Sequence, residues 1–183
     1  MLKFDLGGTN NHDGYISVNL AGNPEIKSNI LDLSFCKDDS VDEFFMSHTY
    51  EHLSPTIIKQ YMKEIQKKLK TNGILRIVQT DVKKTLELYK NNNINFYALR
   101  NIVFSQIQRR IDAFNVSGLD LQAHQSMWGV EELKNELLFY GFSSVSSFDA
   151  GSWKFDMLDY FPNEEQQSFH KLNVPNLGVI AIK

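Results

Sequence analysis

Five histidines and a glycine turn carry most of the chemistry available to this chain. His48, Glu51 and His52 fall within five residues, in Ser47-His-Thr-Tyr-Glu-His52. His124 stands apart, with Asp120 four residues before it. Imidazole changes charge near neutral pH and is the side chain best suited to take a proton from a hydroxyl. His124 with Asp120 therefore reads as a candidate base and its orienter. His48 reads as a second candidate, while His12 and His170 read as surface residues. His48, Glu51, His52 and His124 can also be drawn as metal ligands, but no spacing among them matches a zinc motif, and no metal is expected. The other chemical feature is Asp5-Leu-Gly-Gly8 at the end of an apolar run, with Asn19 at the tip of the next. Strand, glycine turn and second strand with a polar tip is the layout of a nucleotide-type cofactor site, which forms outside the carboxyl ends of parallel strands.

The elements that would position these residues follow from hydrophobic periodicity. Leu2–Leu6, Tyr15–Leu20 and Val41–Met46 read as strands, with a short apolar stretch over Ile26–Leu33. The acidic block from Lys37 to Glu43 reads as an exposed loop. Ser54-Pro55 is a strong helix start, with serine as cap and proline at the first helical position. Ile57, Ile58, Tyr61, Met62, Ile65 and Leu69 give that helix a buried face, its lysines a solvated one, and Asn72-Gly73 is expected to close it. Ile74–Val78 reads as a strand buried on both faces. Residues 81–125 interrupt the alternation with two helical patterns and are expected to form an insertion over the strand ends, where a lid would sit. A helix over Val130–Tyr140 and strands over Ser143–Phe148 and Leu177–Ile182 complete the chain, the last two expected to be antiparallel. Trp128 and Trp153, outside clear periodic segments, are candidates for a substrate wall. The expected fold is α/β: a Rossmann-like doubly wound sheet, a single domain over 1–183.

Bulk properties narrow the field. With 183 residues, 42% of them hydrophobic, the chain can bury a real core. Its net charge of -3 provides no overall basic field for nucleic acid or anionic membrane. The single cysteine, Cys36, excludes an internal disulfide. No apolar run is long enough to span a bilayer, no leader-like pattern is visible, and a cytoplasmic protein is the expectation.

Taken in order, the motifs resemble the class I S-adenosylmethionine-dependent methyltransferases, in the small branch often linked to glycan synthesis. Phe4-Asp-Leu-Gly-Gly-Thr9 and Gly14-Tyr-Ile-Ser-Val-Asn19 match its opening. Asp32-Leu-Ser-Phe35, Ser40-Val-Asp42, Ser47-His-Thr-Tyr-Glu-His-Leu53, Leu69-Lys-Thr-Asn-Gly73 and His124 onward to Gly141-Phe142 follow in the expected sequence. The resemblance implies seven strands, an antiparallel last strand and S-adenosyl-L-methionine as cofactor. It implies that Asp5, Gly7 and Gly8 face the methionine part, and that Asn19, with Leu20 beside it, meets the ribose. Asn29 and Ile30 would bracket the adenine, and Ser47 would offer backbone to the amino-acid end. The implied reaction is O-methylation of a small-molecule or glycan hydroxyl, with His124 or His48 as proton acceptor and Trp128 and Trp153 toward the substrate. The chain is then either a free enzyme or one domain of a larger glycan-synthesis protein. Thr9, Asn19 and Asn29 depart from the family pattern, replacing a glycine and two acids. Asparagine keeps an acceptor but loses the charge that strengthens such bonds, so weaker cofactor binding is expected. A catalytically inactive binding or partner subunit is the alternative. A nicotinamide-dependent dehydrogenase fits less well, because the third glycine of its fingerprint falls at His12.

Overall fold

The structure is a computed structural model, described over residues 1–9, 12–104, 124–155 and 172–183. Its strands are β1 (Lys3–Leu6), β2 (Ile16–Asn19), β3 (Ile26–Lys27), β4 (Val41–Ser47), β5 (Leu69–Thr80), β6 (Ser144–Phe148), β7 (Ser152–Phe155) and β8 (Leu172–Ile182). Its helices are α1 (Pro55–Lys68), α2 (Val82–Lys90), α3 (Phe96–Phe104) and α4 (Val130–Phe139). Seven strands lie in the order β3-β2-β1-β4-β5-β8-β6, and β7 pairs with the start of β8. The first five are parallel, while β8 runs antiparallel between β5 and β6. The antiparallel last strand and the seven-stranded path agree with the expectation from sequence.

Local signals set α1. The Ser54 hydroxyl accepts the Thr56 N–H and Pro55 occupies the first turn, where its missing N–H is harmless. The helix buries Ile58, Tyr61, Met62 and Ile65. These pack with Leu133 and Leu137 of α4 onto alternate strand residues: Phe4, Leu6, Val18, Phe44, Met46, Leu75, Ile77, Val179 and Ala181. Full burial of each large side chain in this face contributes about 1.5–3 kcal/mol.

Three readings change. The helix ends at Lys68 rather than at Asn72-Gly73, because Leu69 already pairs with Val41 in the sheet. The ladder then shifts register before Glu43 meets Ile74, and Asn72, at φ 63°, turns within this bulge. β8 begins at Leu172, five residues before the apolar run, because β7 gives its first half a partner. The third change is in β5, which is fully buried on one face only: Leu75 and Ile77 are buried, while Ile74, Arg76 and Val78 are half-buried.

That second face is covered by a polar network. Glu43, expected both in the exposed acidic block and in the strand over Val41–Met46, lies in β4 at 4% exposure. Tyr15 Oη donates to its Oε1 at 2.7 Å, Arg76 Nε donates to the same oxygen at 2.8 Å, and Lys3 Nζ lies 3.2 Å from Oε2. Arg76 also stacks over Phe148, and Tyr15 packs on Phe45. Burial alone would raise the Glu43 pKa, but hydrogen bonds from Arg76, Tyr15 and Lys3 outweigh it and hold the carboxyl below its usual 4.5. A depressed carboxyl contributes stability above its unfolded pKa and loses it as pH falls through the folded value. Glu43→Gln is expected to cost about 1–3 kcal/mol at pH 7 and to flatten the fall in urea midpoint below about pH 4.5. Parallel pH series of wild type and variant check this.

No helix among the described residues is long and apolar enough to cross a membrane. Cys36 is buried, and burial pushes its thiol pKa up.

Candidate functional site

The carboxyl ends of β1, β2 and β4 gather Asp5, Gly7, Gly8, Asn19 and Ser47 on one edge of the sheet. β1 ends at Leu6 and the chain turns at Gly7, with φ at 97°, a conformation open to glycine. A Cβ there would overlap Thr49 Oγ1, and one on Gly8 would meet the Asp5 carboxylate. The turn thus lies directly on the end of β4 and on the Asp5 side chain. Asp5 is 7% exposed. Burial pushes its carboxyl up, against the pull of His12, whose Nδ1 is 3.6 Å from Oδ2. His12, expected on the surface, is half-exposed on its side-chain surface but engaged: it pairs with Asp5 and stacks on Tyr15 at 4.7 Å. A loop returning over its own strand was the only sequence signal for this contact.

Asn19 closes the same edge. Its Nδ2 donates to the Gly7 carbonyl at 2.7 Å and its Oδ1 accepts the Ala21 N–H at 3.2 Å. A carboxylate at this position could not make the first bond. Asn19→Asp is expected to set two acceptors against each other and lower stability by about 1–3 kcal/mol, measurable as a shift in urea midpoint. The second loop leans on the first: Asn23 N–H donates to Thr9 O at 3.1 Å, and a Cβ on Gly22 would meet Thr9. Leu20 is exposed beside them. Asn29 sits in a self-contained turn, its Oδ1 accepting the Leu31 N–H and its carbonyl the Asp32 N–H. Ile30 packs on the core and its carbonyl accepts from Tyr61 Oη.

A second group assembles just past β4. His48 N–H donates to Val78 O, extending the ladder, and the residue then adopts φ 50°. Positive φ in a non-glycine residue is uncommon and directs its side chain out of the strand path. His48 Nδ1 lies 3.2 Å from Glu51 Oε1. Glu51 is 3% exposed, so a buried carboxylate orients this imidazole and makes Nδ1 the protonated nitrogen. His124 reaches the site because Gln125 and Ser126 donate their N–H groups to Glu51 O, at 2.8 and 3.1 Å. Its Nδ1 donates to Val103 O at 3.0 Å, which leaves Nε2 as the lone-pair nitrogen of the neutral ring. The His52 and His124 rings meet edge to face at 4.9 Å.

Of these residues, Glu51 and His124 line a small cleft with Gln79, Thr80, Ser126 and Trp128. Glu51 Oε2, the Gln79 amide, Thr80 Oγ1 and Trp128 Nε1 are buried there without a hydrogen-bond partner among the described residues. Trp128 is half-buried against Tyr50. Next to it, α2 and α3 form an apolar cleft lined by Leu86, Phe96, Leu99, Phe104 and Met127. The backbone of Trp153 lies in β7; Asp120 and His170 lie outside the described residues. The convergence of Glu51 and His52 with His124 had no spacing signal in the sequence, although each residue was named there.

Comparison with known proteins gives likenesses of structure: no family model and no curated protein sequence matches the chain. A SAM-dependent methyltransferase from Archaeoglobus fulgidus is 18% identical, with a TM-score of 0.56, over 99% of this chain and 85% of that one. A SAM-dependent methyltransferase from Thermotoga maritima, described as a possible histamine N-methyltransferase, is 17% identical at TM-score 0.54, over 100% of this chain and 82% of that one. The 1,6-didemethyltoxoflavin-N1-methyltransferase of Burkholderia thailandensis, solved with S-adenosylhomocysteine, is 13% identical at TM-score 0.56, over 100% of this chain and 70% of that one.

Proposed function

We propose that this chain, which has the fold of the class I S-adenosylmethionine-dependent methyltransferases, transfers a methyl group from S-adenosyl-L-methionine to a hydroxyl of a small or glycan acceptor. The observation that carries this reading is the glycine turn packed between Asp5 and Thr49 at the carboxyl edge, beside a histidine oriented by a buried glutamate. Gly7 and Gly8 keep the turn free of side chains and leave its backbone to approach a ligand. Asn19 spends one N–H and one lone pair on its own loops and retains one of each, enough to meet a ribose hydroxyl without charge assistance. Asp5, Gly7, Gly8, Asn19, Leu20 and Ser47 would hold the methionine and ribose parts, and Asn29 and Ile30 the adenine. When bound, the cofactor supplies a methyl already activated on a sulfonium. The chain's own work is then to align the acceptor, exclude water and take one proton.

His48 Nε2 takes that proton in this reading. Its Nδ1–H bond to Glu51 fixes the tautomer and stabilises the imidazolium once formed. His124 is the imidazole that lines the cleft, held by Val103 O. Trp128 offers a wall for the acceptor, and α2 and α3, the described part of 81–125, extend it with apolar side chains. The sugar preference rests on the motif resemblance and on the fit of an aromatic face to a sugar ring. Calorimetry with S-adenosylmethionine and S-adenosylhomocysteine tests the proposal: saturable binding of both is expected, and no heat from either overturns it.

A second reading, an inactive partner subunit, is favoured by the two Asn19 bonds to its own loops and by Thr9 leaning on Gly22. It predicts no binding in the same calorimetry.

A further inference from the structure

Glu51, His52 and His124 converge more closely than their positions in the chain require. One ligand atom from each lies within 4.8 Å of the other two. A cation holding all three at about 2.1 Å would draw them to roughly 3.4 Å apart, a closure of at most about 1.4 Å. Both histidines are half-buried, and Glu51 is anchored by the buried start of the connection to α1.

Four further observations favour a cation here over a simple polar cluster. Glu51 Oε2 is buried with no hydrogen-bond partner among the described residues, although a buried carboxylate oxygen is costly to leave unpaired. The opposite oxygen, Oε1, is held by His48 Nδ1, so Oε2 is directed away from His48. His124 donates Nδ1–H to the Val103 carbonyl, the arrangement that fixes a metal-binding imidazole in structures of metal sites and presents Nε2 as the donor. Backbone bonds from Gln125 and Ser126 to Glu51 O hold the His124 segment to the Glu51–His52 segment across more than 70 residues of chain.

We propose that Glu51, His52 and His124 form a divalent transition-metal site of the zinc class, with two imidazoles and one carboxylate as ligands. Two nitrogens and one oxygen suit zinc or its stand-in cobalt better than magnesium or calcium, which prefer all-oxygen sets. Three protein ligands leave coordination positions open, and two of the three, Glu51 and His124, line the cleft with Gln79, Thr80 and Trp128. A site of this kind binds and polarises a ligand oxygen, where a closed four-ligand site would only brace the fold.

The role of the ion rests on the methyl-transfer reading. An acceptor hydroxyl at an open position would lose its proton more readily, and His48 Nε2 would receive it. His124 then serves as a ligand and leaves the base role to His48.

The test uses the tag-free chain, stripped with chelator and titrated with Co²⁺, then with Zn²⁺ in competition. One equivalent of Co²⁺ is expected to produce a visible d–d band that Zn²⁺ displaces, with Mg²⁺ without effect. Glu51→Gln, His52→Ala and His124→Ala are each expected to weaken Co²⁺ binding at least tenfold, with circular dichroism confirming the fold. Should the buried Glu51 variant not fold, the two histidine variants carry the comparison. A missing or non-saturable band overturns the site, as does unchanged affinity in folded His124→Ala, which would put the ion elsewhere. Calorimetry with S-adenosylhomocysteine on the same chain separates the two readings. Cofactor binding without a cobalt site overturns the metal alone; a cobalt site without cofactor binding overturns the methyl-transfer reading alone.

Discussion

His48→Ala is expected to lower methyl transfer about 10²–10⁴-fold while S-adenosylhomocysteine affinity stays within about threefold. The rate loss would follow from removing the proposed base, whose tautomer is set by buried Glu51 at 3.2 Å. Affinity is spared because the proposed cofactor edge of Asp5, Gly7 and Asn19 does not depend on the imidazole. The acceptor for this measurement comes from a screen of simple glycosides and other hydroxyl compounds for S-adenosylhomocysteine release. His48→Asn restores a hydrogen-bond donor toward Glu51 but no titratable nitrogen, so it is expected to stay slow. Full activity in both variants would remove His48 from the chemistry. A merely structural role predicts the opposite pattern: weakened folding, with asparagine rescuing the rate. His48 is also a non-glycine residue in the left-handed region, just past the end of β4, so His48→Gly separates backbone strain from base loss. That variant relieves the strain and is expected to be slow yet at least as stable as the alanine variant.

Gly7→Ala is expected to be the most damaging small substitution on the proposed cofactor edge. Two costs combine. A φ of 97° is strained for any side chain, at about 1–3 kcal/mol, and the new methyl would overlap Thr49 Oγ1 at the end of β4. The turn must move, taking with it the Gly7 carbonyl that Asn19 holds and the N–H that pairs with Val18 O. We expect a stability loss of about 2–4 kcal/mol by urea denaturation and at least a tenfold loss of S-adenosylhomocysteine affinity. Adding Thr49→Ala removes the overlap but not the backbone strain. The double variant should therefore recover part of the stability lost, and full recovery would show that φ at Gly7 carries no cost. Unchanged affinity in the single variant would move the cofactor away from this turn.

Local physics made several elements legible in the sequence. Ser54-Pro55 starts α1 because a hydroxyl and a ring-locked φ act within one turn of the chain. The period-two apolar residues of β1, β4 and β5 identify one buried face, and the glycine pair after β1 marks the edge where the chain must turn tightly. Motif order pointed to seven strands with an antiparallel last one, which the sheet has. Where neighbours decide, the sequence was silent or misleading. Asn72-Gly73 is good helix-ending chemistry, yet Leu69 gains more by pairing with Val41 and being buried. The acidic look of residues 37–43 hid Glu43, whose burial is tolerable only because Lys3, Tyr15 and Arg76 arrive from three other segments.

The same division runs through the site. Residue types and spacing determined which groups were available: a glycine turn, an asparagine in place of an acid, and five imidazoles. Tertiary structure alone decided how they were spent. It turned the Asn19 amide onto the Gly7 carbonyl, set His12 against Asp5, and carried His124 to Glu51 and His52 through backbone bonds that any residue at 125 and 126 could make. Such bonds leave no trace in side-chain identity. For that reason the residues of this site could be named from the chain, while their grouping required the fold.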